Sequence, residues 1–168
     1  TSGSGSTFVS VADMDNDGKQ DVIVANQGEN TLSIFKNIST SGNISFNSPV
    51  KLTTPSTPVG IGIGDFDRNG WLDIATANHG NGTVSIFTNK GIFNAISTNN
   101  FNPRFGLITG LNPITIDVAD IDGDSKSDIV VGNYGSNSIS IFKNNYISGA
   151  LATSSFSTKL DFNAGNKP

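Results

Sequence analysis

The chain has 168 residues, a formal net charge of -4, 35% hydrophobic residues, 19 glycines and no cysteine. Such a length suits one ordinary domain, and a turn-rich composition argues for many short strands and against a helical bundle. The lack of cysteine excludes a disulfide framework, a zinc-thiolate site and a cysteine nucleophile, no apolar run is long enough for a membrane helix or a signal-peptide core, and the scattered basic residues form no nucleic-acid surface.

The opening Thr-Ser-Gly-Ser-Gly-Ser, residues 1–6, reads as a linker or a cloning scar and is set apart from the fold. From residue 7 the chain repeats itself three times, as units 7–58, 59–113 and 114–168, closed by Pro58, Pro113 and Pro168. In each unit the first predicted strand alternates, with Val9 and Val11, Ile61 and Ile63, or Ile116 and Val118 on one face. The other face carries Ser10, Gly62 or Asp117, which suits a strand crowded near an axis.

An acidic window follows: DMDNDGKQD (13–21), DFDRNGWLD (65–73) and DIDGDSKSD (120–128). Eleven of the fourteen acidic residues lie in these windows, leaving only Glu29, Asp117 and Asp161 outside, so the acidity is local. A second strand, apolar or small on both faces, starts at Val22, Ile74 or Ile129 and predicts cover from both sides. Next come the turns Asn26–Asn30, Asn78–Gly82 and Asn133–Asn137, then a third alternating strand ending at Phe35, Phe87 or Phe142. After a connection three residues shorter in the first unit, a fourth strand turns Val50 and Leu52, Phe105 and Leu107, or Leu160 and Phe162 inward. Four strands in roughly 50 residues is the size of a propeller blade, and blades must cover one another's faces. The expected fold is therefore all-β, three four-stranded antiparallel blades that belong to a larger or oligomer-completed propeller, two chains giving six blades.

Each window has the form D-x-D-x-[DN]-[GS]-x-x-D. Side chains at positions 1, 3 and 5, a backbone carbonyl at position 7 and the carboxylate at position 9 can converge into an oxygen-only cage. Such a cage fits calcium better than zinc or copper, and magnesium asks for stricter geometry. Two carboxylates ~5 Å apart at an effective dielectric of ~20 repel by roughly 3 kcal/mol, so several in one loop call for a cation. A hairpin turn needs one Asp or Asn and a Gly, not four acids in register. An EF-hand shares the first positions but would need a Glu at position 12 and flanking helices.

This loop, followed by a hydrophobic strand, an Asn-x-Gly turn and an alternating strand, resembles the FG-GAP or VCBS repeat of integrin α-subunit β-propellers and bacterial surface proteins, over residues 7–168. The resemblance implies that the loop joins the first two strands of a blade and binds calcium, about three ions per chain. By position the ligands would be Asp13, Asp15, Asp17, the Lys19 carbonyl and Asp21; Asp65, Asp67, Asn69, the Trp71 carbonyl and Asp73; and Asp120, Asp122, Asp124, the Lys126 carbonyl and Asp128. Ser125 departs from the position 6 Gly, which predicts strain in the third loop, with Gly123 relieving it. Loop 2, one carboxylate poorer through Asn69, is expected to bind its ion most weakly.

Gln27, His79 and Tyr134 occupy one variable position in the three Asn-x-Gly turns, at the end of the blades away from the acidic loops, and are candidate ligand contacts. No motif around His79, the sole histidine, supports general-base catalysis. Trp71, the sole tryptophan, is expected to pack against a neighbouring blade. The sequence thus predicts a calcium-stabilised, non-enzymatic binding or adhesion module of an extracellular or cell-surface protein with a protein or glycan ligand. The alternatives are a lectin-like propeller and an accessory domain of a polysaccharide-cleaving enzyme.

Overall fold

The computed structural model describes residues 2–165. It contains three four-stranded sheets, each an antiparallel meander in sequence order. The first holds β1 (Ser6–Ala12), β2 (Asp21–Asn26), β3 (Thr31–Phe35) and β4 (Val50–Thr53). The second holds β5 (Pro58–Gly64), β6 (Asp73–Asn78), β7 (Thr83–Phe87) and β8 (Phe105–Ile108), and the third β9 (Pro113–Ala119), β10 (Asp128–Asn133), β11 (Ser138–Phe142) and β12 (Leu160–Asn163).

Local chemistry sets the register. The buried side-chain amide of Asn26 donates to Ser33 Oγ at 2.8 Å, Asn78 to Ser85 at 2.9 Å and Asn133 to Ser140 at 2.8 Å, tying the end of each second strand to the middle of the third. The residue that closes each turn, Asn30, Gly82 or Asn137, adopts a left-handed backbone, which Asn and Gly tolerate best. All three first strands carry the same irregularity near their start, where Thr7, Val59 or Ile114 bulges out of the ladder.

The sheets stack face to face in chain order and form two cores. Ile23, Leu32, Ile34 and Leu52 of the first meet Ile61, Ile74, Phe87 and Phe101 of the second. Ala75, Val84, Ile86 and Leu107 of the second meet Ile116, Ile129, Phe142 and Phe156 of the third. Alternate residues of β6 therefore serve different cores, and the whole strand is buried. Close approach of the innermost strands explains Gly62: a Cβ there would lie 2.7 Å from Val118 on β9.

Several expectations are corrected. Leu160 and Phe162 are not turned into a core but are 58% and 51% exposed, and Val9 and Val11 are each 60% exposed. They lie on the two outer faces of the stack, where no sheet among the described residues covers them. Pro58 and Pro113 do not close their units; they are the first residues of β5 and β9, paired with Asn78 and Asn133. Pro168 lies outside the described residues. Residues 2–6 are not a detached linker: the Gln27 and Gly28 N–H groups donate to the Gly5 and Ser4 carbonyls at 2.9 and 3.1 Å. His79 with Thr57, and Tyr134 and Gly135 with Asn112 and Leu111, repeat this docking in the connectors before the other two blades. The shorter connection after β3 forms a small hairpin bridged between Thr40 and Asn43, whereas its counterparts contain the 3₁₀ turns Thr98–Asn100 and Thr153–Ser155.

Candidate metal centres

Each acidic window is the loop between the first and second strands of its blade, and its backbone is folded around its own carboxylates. The position 1 carboxylate accepts from the backbone at positions 5 and 6: Asp13 from Asp17 and Gly18, Asp65 from Asn69 and Gly70, Asp120 from Asp124 and Ser125. Such a tight turn needs left-handed residues at positions 4 and 6, and these are Asn16 and Gly18, Arg68 and Gly70, Gly123 and Ser125. Ser125 holds φ 63 in the place of a glycine, so the strain expected in loop 3 is present, with Gly123 easing position 4.

The position 9 carboxylates anchor the loop to the blade. Asp21, Asp73 and Asp128 are buried and accept from the position 2 N–H of Met14, Phe66 or Ile121, each at 2.9 Å. The second oxygen accepts from the N–H of Asn37, Asn89 or Asn144, just past the third strand, at 2.8, 2.7 and 2.7 Å. Burial raises Asp21 above the ordinary carboxylate range and, against these hydrogen bonds, pushes Asp73 up to about 7.

Three carboxylates in each loop offer oxygens within 4.8 Å of one another: Asp13, Asp15 and Asp17; Asp65, Asp67 and Asp73; Asp120, Asp122 and Asp128. Asp21 and Asp124 stand outside these closest groups. The Lys19, Trp71 and Lys126 N–H groups donate to the position 5 side chains, which places these residues at the lip of the loops. One atom of loop 1 is informative: Asp15 is fully buried, and its Oδ1 has no hydrogen-bond partner. A buried carboxylate oxygen left bare is costly, and it fits the demand of a hard, oxygen-seeking cation such as calcium.

Two groups that the window pattern does not show reach into the acidic loops. Lys36, after β3, places its ammonium against Asp15 Oδ2 and, at 2.6 Å, Asp17 Oδ2. Lys143, its counterpart in blade 3, pairs with Asp122 and, at 3.3 Å, with Asp124. Blade 2 has Thr88 there, whose Oγ1 accepts from Asn102. The carboxyl groups respond accordingly. Hydrogen bonding to Lys36 holds Asp17 below the ordinary range; at Asp124 desolvation is outweighed by the bonds from Lys126 and Lys143; in loop 2, burial raises Asp67. The signal for these lysines lies in the repeat itself, where Ile-Phe-Lys-Asn, Ile-Phe-Thr-Asn and Ile-Phe-Lys-Asn end the third strands.

The loops also reach across to the next blade. Asn89 Nδ2 donates to the Met14 carbonyl at 2.8 Å, and Asn144 Nδ2 to the Phe66 carbonyl at 2.8 Å. The Met14 and Phe66 side chains, at position 2 of loops 1 and 2, are buried in the two cores between blades. Ile121, their counterpart in loop 3, faces no further blade among the described residues and is 52% exposed. Trp71 lies against Gly91, in the long connection of its own blade.

Gln27, His79 and Tyr134 are found in successive β2–β3, β6–β7 and β10–β11 turns, at the end of the sheets away from the acidic loops, their N–H groups bound to the connectors. Two grooves of about 450 Å³ recur between blades at the outer strands, one including Leu52, Phe87 and Phe101, the other Leu107, Phe142 and Phe156.

Blades of four antiparallel strands, stacked face to face with an acidic loop between the first two strands of each, define a β-propeller protein of the acidic-loop type. The sequence matches the model of the FG-GAP-like repeat over residues 13–76 and 65–131 and that of the FG-GAP repeat over 112–152. The chain belongs to the FG-GAP repeat family. It is 28% identical to integrin alpha-6 of Gallus gallus over 148 residues, which is 80% of this chain and 14% of that protein. Two crystal structures of BBS1N in complex with ARL6DN share the fold. The mercury-soaked one has a TM-score of 0.53 and 19% identity, covering 84% of this chain and 42% of that one. The lead-soaked one has a TM-score of 0.55 and 17% identity, covering 94% and 45%. The chain thus spans less than half the length of each of these proteins. Among the described residues, no helix is long and apolar enough to cross a membrane.

Proposed function

We propose that this chain is a calcium-stabilised, non-enzymatic binding module of an extracellular or cell-surface protein, with one ion held in each acidic loop. The observation that carries the metal reading is Asp15, fully buried with one oxygen bare, in a loop pattern that occurs three times. In this reading the ligands are the side chains at positions 1, 3, 5 and 9 and the carbonyl at position 7, namely Lys19, Trp71 and Lys126. A bound dication offsets the repulsion among carboxylates. The chain's own residues do the rest: position 1 closes the loop, position 9 fixes it to the second strand, and position 2 plugs the seam to the next blade. Millimolar external calcium suits such loops. The binding role, with a protein as ligand, is supported by the family and by the likeness to an integrin α-subunit. The outer faces would be covered by further blades or by a second copy.

A glycan ligand is the second reading, favoured by the grooves that recur between blades. The test is thermal unfolding of the chelated protein with added calcium or magnesium, followed by glycan-array binding of the loaded form. A saturable rise in Tm with calcium, larger than with magnesium, and about three ions per chain by calorimetry are expected. A Tm indifferent to calcium would overturn the metal reading. Array binding lost on Arg104→Ala or Lys159→Ala, one side chain from each groove, would favour the glycan.

A further inference from the structure

Judged by the windows alone, loop 2 has the fewest charges and should hold its ion least well. Lys36 and Lys143 undo that ranking. Loops 1 and 3 have a fourth carboxylate, Asp17 or Asp124, and each receives one ammonium from the end of its third strand; loop 2 has Asn69 in place of the carboxylate and Thr88 in place of the lysine. Over these groups the net charge of the three loops is the same, so charge no longer separates them.

Occupancy does. Lys36 Nζ bridges Asp15 Oδ2 and Asp17 Oδ2, two oxygens that a metal in loop 1 would use. Lys143 bridges the corresponding Asp122 and Asp124. An ammonium is a compact, strongly hydrated point charge on a flexible stem, so it can neutralise a carboxylate pair and still swing away. It cannot gather six to eight oxygens as calcium does, and Asp15 Oδ1 stays bare even with Lys36 in place.

We propose that Lys36 and Lys143 are built-in counter-cations that compete with calcium at loops 1 and 3, so that loop 2, which has none, takes its ion first. Loops 1 and 3 then keep a cation when the metal is scarce, while loop 2 depends on the metal alone. This rests on the calcium reading above, and the test separates the two.

The Gly18, Gly70 and Ser125 N–H groups each donate at 2.8 Å to the first aspartate of their own loop, so their amide resonances report the three loops separately. In a calcium titration of the chelated chain followed by ¹H–¹⁵N correlation spectra, Gly70 is expected to saturate first. Lys143→Met, at a side chain 40% exposed, should lower the midpoint of Ser125 about tenfold and leave Gly70 unchanged. Lys36→Met should do the same for Gly18, and Thr88→Lys should raise the Gly70 midpoint about tenfold. Wild-type Gly70 saturating last, or a Ser125 midpoint indifferent to Lys143→Met, overturns the competition. If none of the three amides moves in wild-type protein up to millimolar calcium, the metal reading itself falls and takes this one with it.

Discussion

At the scale of single residues, the acidic loops are built from backbone geometry as much as from charge. Positions 4 and 6 must both be left-handed for the position 1 carboxylate to accept two N–H groups. Glycine meets that demand at Gly18, Gly70 and Gly123, while Asn16, Arg68 and Ser125 meet it as left-handed residues that carry a side chain. A left-handed non-glycine residue costs roughly 1–2 kcal/mol, partly offset by the greater freedom of glycine in the unfolded chain. Ser125→Gly should therefore stabilise the chain by about 1 kcal/mol, a rise of roughly 2–4 °C in Tm by calorimetry. A drop in Tm would show that Ser125 makes a compensating contact. The glycine pattern was visible in the sequence because only one conformation explains it. The pairing of the lysines with the loops was not, because Lys36 lies 15 residues beyond the window that it neutralises and meets it only when β3 returns alongside β2.

Between elements, what joins blade to blade is an Asn that does two things at once. Asn89 presents its N–H to Asp73 within its own blade and its side-chain amide to the Met14 carbonyl of the preceding one. Asn144 repeats this with Asp128 and Phe66. Asn37 faces no preceding blade among the described residues, and its amide donates to the Gln20 carbonyl of its own loop. Removing the Asn89 side chain would strand a buried carbonyl, at a cost of about 1–3 kcal/mol. Asn89→Ala should thus lower the stability in denaturant titration several times more than Asn37→Ala, and equal losses in the two variants would refute the inter-blade role. The fourth strands make the complementary point. β4, β8 and β12 have the same alternation, yet Leu52 and Leu107 are buried while Phe162 is half exposed, because burial here is supplied by the neighbouring sheet.

For the whole molecule, the stack ends in two apolar faces of the kind that form its interior cores. Val9 and Val11 occupy the positions that Ile61 and Ile63 hold against blade 1, and Ile121 and Phe162 those that Phe66 and Leu107 hold against blade 3. The two faces differ, so any contact between copies would be head to tail, and such contacts either close into a ring or grow. In solution the isolated chain should show a mass that rises with concentration by sedimentation equilibrium, and Val9→Glu with Val11→Glu should return it to a monomer. A monomeric wild type at high concentration would refute this.

The sequence by itself determined the repeat, the four-strand order within each blade and the acidic loops. Each of these is a local pattern, an alternation or a spacing within about 50 residues, that backbone sterics and charge convert directly into shape. The tertiary structure alone decided which apolar faces are covered, which carboxylates receive a lysine, and that the opening residues dock as a blade connector. Those outcomes depend on groups brought together from strands distant in sequence, and the energy of burying or pairing a side chain is set by the neighbour that arrives.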